Sequence, residues 1–185
     1  MRATQALWAA WFLYWWLASR GVKQAHKSEA TASRGMHLAI LAFAFLMMFS
    51  DLFHFGLMGR RLWPAAAAMT WAGLGMTAAG MLFTIWARVH LGRYWSGEVQ
   101  IKEGHRIIMT GPYALVRHPI YTGFLLAILG SAVTLGEVRG LVIIAATSVA
   151  FWRKVRIEEA VLAKEFGGEY AAYRGRTKAL IPFLL

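Results

Sequence analysis

The sequence predicts an all-α integral membrane protein of about five transmembrane helices, and three observations carry that reading. Hydrophobic residues make up 58% of the 185 and charged residues only 16%, against roughly a quarter charged in an average soluble domain. The charges avoid five stretches, residues 3–19, 35–59 (where Asp51 stands alone), 62–87, 119–136 and 140–152. The basic residues then gather between alternate stretches. With the N-terminus outside, only Arg2, Arg60, Arg61 and Arg139 of the 20 Lys and Arg residues fall on the outer side. That bias places the C-terminus in the cytoplasm. It also accounts for the net charge of +11, so no nucleic-acid partner is expected.

Each stretch is read against a rise of about 1.5 Å per residue, which makes roughly 20 apolar residues enough to cross a bilayer core. The first is short and can extend toward Thr4 and Arg20. Its Trp8, Trp11 and Trp15 share one helical face, expected to face lipid or anchor at the interface, and no small-x-small cleavage site follows it. The second carries Asp51 and His54, three apart on one face near its outer end, expected as a packing or interfacial pair. The third holds Ala65 to Ala68, Ala72, Gly75 and Ala79, small residues suited to close helix approach. Residues 88–118 are too polar to span and form the longest link. The fourth span begins at Pro119, since proline suits the first helical turn. The chain returns through residues 135–140 into the fifth span. That span is completed by Arg153, Lys154 and Arg156, whose stems can snorkel to the interface, and a polar tail follows. One membrane domain, 1–185, is expected, with residues 1–87 as a three-helix scaffold and 88–185 as the functional part.

The chemistry-bearing side chains fall on the predicted cytoplasmic side. Tyr113 and Tyr121 offer aromatic faces, His105 and His118 titratable groups, and Glu158 and Glu159 carboxylates. Lys154 lies one turn upstream of Glu158 on the same helix face. Such a set suits a zwitterionic ligand with a positive centre, because aromatic faces attract a cation and carboxylates accept from amino or hydroxyl groups. The same glutamates equally suit interfacial salt bridges to Arg153 and Arg156. Cysteine is absent, which removes disulfides and thiolate chemistry. Neither an H-E-x-x-H pair nor a phosphate-binding G-x-x-x-x-G-K-[ST] loop occurs, and no metal is expected.

These residues form a pattern. Gly104-His105-Arg106-Ile107-Ile108 runs into Thr110-Gly111-Pro112-Tyr113, and then Arg117-His118-Pro119-Ile120-Tyr121-Thr122-Gly123. After the hairpin come Glu158-Glu159, Phe166-Gly167, Glu169-Tyr170, Tyr173 and Ile181-Pro182. Over roughly residues 88–183 the chain resembles the isoprenylcysteine carboxyl methyltransferase family, membrane enzymes grouped with phospholipid methyltransferases. The resemblance implies use of S-adenosylmethionine, with S-adenosylhomocysteine as product. It implies a cofactor site of Gln100, His105, Arg106, Ile107, Ile108, Tyr113, His118, Pro119, Ile120, Tyr121 and Glu158. Lys154 and Glu158 take the catalytic places, and Lys154, Arg153 and Arg156 those facing the substrate. The family's eukaryotic members carry arginine where this chain has Lys154, which lacks the bidentate fork for a carboxylate. The implied reaction is methyl transfer to a lipophilic acceptor drawn from the bilayer, first an isoprenylcysteine-like carboxylate, with an amine or thiol acceptor as alternatives. Membrane sterol reductases that use NADPH share part of the pattern, with asparagine and aspartate where this chain has Ile120 and Thr122.

Overall fold

The computed structural model describes residues 1–20, 31–92 and 107–184, and they form an all-helical bundle. Five long helices overlap the five charge-poor stretches: α1 (Arg2–Ser19), α2 (Thr31–Phe49), α3 (Ala67–Leu91), α5 (Pro119–Leu135) and α6 (Val138–Arg176), with α2 ending ten residues before its stretch does and α6 running well beyond its own. A single turn, α4 (Pro112–Leu115), precedes α5. Of the long helices α3 is long and apolar enough to cross a membrane, and Ser33–Phe49 and Pro119–Leu135 are shorter apolar helices. Large apolar side chains cover the outside of the bundle, among them Trp71, Leu82, Val89 and Val149, each more than 60% exposed.

Two helices set the frame. α3 and α5 cross with their backbones nearly touching. A Cβ on Gly80 would lie 2.5 Å from Ala127 N, one on Gly123 2.6 Å from Gly80 O, and one on Gly130 2.5 Å from Thr77 N. No side chain fits at these points, and the contact is built from backbone surfaces, as small residues permit in lipid. The expected small-residue seam is thus present in kind and displaced in register. Gly73, Thr77 and Gly80 make it, while Ala72, Gly75 and Ala79 point outward.

The tryptophan face of α1 turns inward, against the expectation of a lipid-facing stripe. Trp8 and Trp11 are buried. The Trp8 indole N–H donates to Ser131 Oγ at 2.9 Å and that of Trp11 to Thr84 Oγ1 at 2.7 Å. Trp8 packs edge-on against Phe45 and Phe124. A buried indole needs an acceptor, and the hydroxyls of α3 and α5 supply one each, so the face that carries N–H groups is the one that must be inside.

Asp51 and His54 do not share a helix face. α2 ends at Phe49, and Ser50 caps a 3-10 turn, Asp51–Phe53, by accepting the Leu52 N–H at 3.1 Å. His54 Nδ1 sits 3.2 Å from Glu137 Oε2. Glu137 in turn accepts from Arg139 Nε at 2.7 Å, and Arg139 Nη1 donates to the carbonyls of Met47 and Ser50. Arg139, counted in the sequence as an outer-side charge, is buried.

At the other end α6 runs 39 residues and carries one break, at Gly167, where φ is 49°. That left-handed value favours glycine. The break redirects the last turns, so that Tyr170 and Tyr173 are buried against the body.

Candidate functional site

The start of α5 is pinned by the chain's own C-terminal segment. Arg117 N donates to Lys178 O at 2.8 Å, His118 N to Ala179 O at 3.0 Å, and Thr122 Oγ1 to Leu180 O at 2.7 Å. Tyr173 OH adds a bond to the Tyr113 carbonyl at 2.6 Å. The polar tail thus lies along the start of α5 as a strap. Its backbone carbonyls fix residues 117–122 and the Tyr173 hydroxyl fixes Tyr113, and these residues in turn aim their side chains at α6.

Glu158 and Glu159 are adjacent in sequence and therefore face about 100° apart on the helix. Glu158 looks into a cavity. Its Oε1 accepts from Tyr121 OH at 2.5 Å, and its Oε2 lies 3.3 Å from His118 Nδ1. Glu159 looks back toward the strap and is buried. It accepts from Arg117 Nε at 2.8 Å and also from Nη2, while Arg117 Nη1 reaches the Thr177 carbonyl. The His118 Nε2 is 3.4 Å from Glu159 Oε1 and makes no aligned hydrogen bond. The His118 and Tyr121 rings stack with centroids 5.6 Å apart. The interfacial pairs from these glutamates to Arg153 and Arg156, weighed from the sequence, do not form.

Charge follows geometry. Burial pushes the His118 pKa down, and the carboxylates of Glu158 and Glu159 outweigh it, leaving the group above its usual value. Burial also works against the ionised Glu159, yet the adjacent His118 ring and the hydrogen-bonded Arg117 guanidinium hold it at about 2. Tyr113 is raised by burial first and by the Glu158 charge second. Tyr173 is pushed up to about 12 by burial. The sign of the coupling is set by these directions. The stabilisation from Glu159 is full above the ordinary carboxylate pKa and is lost as pH falls toward about 2. That from His118 is full below the ordinary histidine pKa and is lost as pH rises through its elevated one.

The cavity has a volume of about 360 Å³, within the range of roughly 300–1,000 Å³ for small-molecule sites. Of the residues expected at a ligand, Ile107, Ile108, Tyr113, His118, Pro119, Ile120, Tyr121, Lys154 and Glu158 all line it. Gln100, His105 and Arg106 lie outside the described residues. Arg153 and Arg156 do not line it. Arg153 donates to Ser33 Oγ at 2.7 Å and Arg156 is exposed, because positions one before and two after Lys154 leave its helix face. Several lining residues were not anticipated. Trp15 of α1 and Arg34, His37, Leu38 and Leu41 of α2 form one wall, and Arg117, Tyr170 and Tyr173 close another. The helices expected as a scaffold therefore contribute to the site. The Phe166-Gly167-x-Glu169-Tyr170 run was the available signal for the last of these, since it holds the break and the tyrosine that the break buries.

The donor set is an anion in an aromatic frame, beside a buried lysine one turn away and an apolar wall. It suits a polar ligand with a cationic centre lying next to an apolar one. Among the described residues no group of three or more His, Asp or Glu side chains converges as a metal site would require.

Comparison with known proteins gives concordant results. The isoprenylcysteine carboxyl methyltransferase family matches residues 73–164. A probable protein-S-isoprenylcysteine O-methyltransferase of Oryza sativa subsp. indica is 31% identical over 122 residues, covering 63% of this chain and 62% of that protein. The cobalt-zinc-cadmium resistance protein CzcN of Cupriavidus metallidurans is 34% identical over 117 residues, covering 62% of this chain and 53% of that one. Among solved structures, a eukaryotic intramembrane Ras methyltransferase of the isoprenylcysteine carboxyl type superposes with a TM-score of 0.65. It shares 22% identity, over 81% of this chain and 53% of that one. The matched part of the chain thus spans between half and two thirds of the length of these proteins.

Proposed function

The chain belongs to the isoprenylcysteine carboxyl methyltransferase family, and on that premise we propose that it transfers the methyl group of S-adenosylmethionine to a lipophilic acceptor at a membrane face. The observation that carries this reading is the surrounding of one carboxylate. Glu158 is held by Tyr121 and His118 on the wall of a cavity whose other lining includes Lys154 and the apolar Trp15, Leu38 and Leu41. Tyr113, His118, Pro119, Ile120, Tyr121, Ile107, Ile108 and Glu158 are the residues we assign to the cofactor, with Gln100, His105 and Arg106 completing the set by family resemblance. The exposed apolar girdle of α3 and α6 supports a bilayer setting. The distribution of Lys and Arg supports five spans, with the N-terminus outside and the site cytoplasmic.

When bound, the cofactor would supply an electrophilic methyl on a sulfonium, whose sulfur is a neutral leaving group. The chain's own part is positioning and the exclusion of water. Glu158, its orientation set from two sides, accepts hydrogen bonds from the amino or hydroxyl groups of the cofactor. The Tyr113 and Tyr121 rings present faces that favour a cationic centre. Lys154, buried one turn before Glu158, supplies the positive charge that draws an acceptor's carboxylate. Trp15, Leu38 and Leu41 offer the surface along which the acceptor's apolar chain lies.

An isoprenylcysteine-type carboxylate is the first acceptor. In a detergent assay of methyl transfer, a farnesylated cysteine derivative is expected to be turned over far better than its short, water-soluble counterpart. Equal turnover of the two would contradict a site reached from the apolar side.

A further inference from the structure

His118 stands between two carboxylates. Its Nδ1 is 3.3 Å from Glu158 Oε2 and its Nε2 is 3.4 Å from Glu159 Oε1. The ring is buried and stacked on Tyr121. A neutral imidazole carries one N–H and one lone pair. With a carboxylate at each nitrogen, either neutral tautomer aims its lone pair at an anion in a poorly solvated place. Only the imidazolium places a proton and a positive charge beside both, as a charge contact at Nε2, where no aligned hydrogen bond forms.

We infer that His118 is a fixed imidazolium, and that Glu159 and Arg117 are positioning residues that keep it charged and so hold Glu158 in the cavity. Glu159 is itself immobilised. Arg117 binds it through two nitrogens and binds the Thr177 carbonyl through a third, and Arg174 Nε stands 3.8 Å from its other oxygen. The result is an alternating row, Arg117, Glu159, His118, Glu158, with no net charge. Other titratable groups face the same place. Lys154 on α6 and Arg34 on α2 line the cavity and oppose the charge on the ring, and His37 on α2 lines it as well. Tyr113 on α4, Tyr121 on α5 and Tyr170 and Tyr173 on the last turns of α6 are neutral at physiological pH. The two carboxylates are at contact distance, where Coulomb attraction is greatest.

The inference deepens the methyl-transfer reading and, for its chemical consequence, rests on it. A ring that holds its proton against two anions is a poor acceptor of another. An amine acceptor must shed a proton to be methylated, and His118 is not the group to take it. A carboxylate forms its O–CH3 bond as the sulfonium's S–CH3 bond breaks, and no proton moves. The row therefore matches an acceptor that arrives as an anion.

The proton is read directly and without cofactor, so the outcome is independent of any turnover. The full chain, purified in detergent with 15N-labelled histidine rings, is followed by NMR. The His118 signals are assigned as those lost in His118→Asn. Should that variant not fold, they are assigned by removing the other five histidines in turn. At about pH 7.5, a unit above the ordinary histidine pKa of roughly 6.5, both His118 ring nitrogens are expected at imidazolium shifts. In Glu159→Gln the titration midpoint should fall by about one pH unit or more, and in Glu159→Asp, which keeps the charge, it should return toward wild type. A neutral His118 at that pH in the wild type, or a Glu159→Gln protein that titrates with the wild type, overturns the inference.

Discussion

Glu158→Gln is expected to weaken binding of S-adenosylhomocysteine ten- to hundredfold while leaving the protein folded. The substitution keeps the shape of the side chain and removes its charge. A hydrogen bond to a charged group contributes about 1.5–3 kcal/mol, and each 1.4 kcal/mol is a factor of about ten in affinity. Glu158 is the carboxylate that faces the cavity, held there by Tyr121 and His118, so its loss falls on the ligand. Glu169→Gln is the control, since Glu169 lies exposed beyond the Gly167 break. Calorimetric titration of both variants, each first checked for a wild-type melting temperature, measures the difference. A folded Glu158→Gln protein that binds within a factor of two of wild type removes this residue from the site.

Arg139→Met is expected to cost about 3–5 kcal/mol of stability, the range for removing one partner of a buried ion pair. Arg139 is buried with Glu137, its carboxylate partner at 2.7 Å, and it donates to Met47 O at 2.8 Å and Ser50 O at 2.6 Å. Those carbonyls are the unpaired end of α2, where a helix leaves acceptors without intrahelical donors. Methionine fills similar space and donates nothing, so the carbonyls lose a partner and Glu137 is left with His54. For a domain of this size the melting temperature should fall on the order of 10 °C. Arg139→Met combined with Glu137→Gln should recover part of that loss. A single variant that melts with the wild type contradicts the assignment.

The residues that proved hardest to place in the sequence share a physical cause. In a bundle whose core and surroundings are both apolar, periodicity says which residues share a helix face and not which face is inside. Trp8 and Trp11 were grouped correctly and assigned outward. Only their indole N–H groups, which need the hydroxyls of Ser131 and Thr84, decide the matter. The seam of α3 was expected among its small residues, but Ala72 and Gly75 suit close packing as well as Gly73 and Gly80 do, and the partner glycines of α5 select the register. Asp51 and His54 were spaced for one helix face. Ser50 ends that helix first, through a local side-chain bond that spacing does not reveal.

The polar residues were more legible. Pro119 marks the start of α5, as its missing N–H requires. Tyr113, His118, Tyr121, Lys154 and Glu158 were singled out as a set and do converge. Arg117 and Glu159 were less legible, the first quoted within the pattern but given no role and the second read as a second anion beside Glu158. Their partners include backbone carbonyls of the strap, which every residue carries and no residue type announces. The contribution of α2 to the cavity was hidden for a similar reason, because Arg34 and His37 sit at a helix end that reads as ordinary interfacial charge.

The central claim is that this cavity binds the methyl donor of the reaction. It is tested most directly by calorimetric titration of the detergent-purified full chain with S-adenosylhomocysteine and, separately, with NADPH. Saturable binding of S-adenosylhomocysteine that survives a chelator, with no heat from NADPH, is the predicted result. Saturable NADPH binding without any for S-adenosylhomocysteine would contradict the claim.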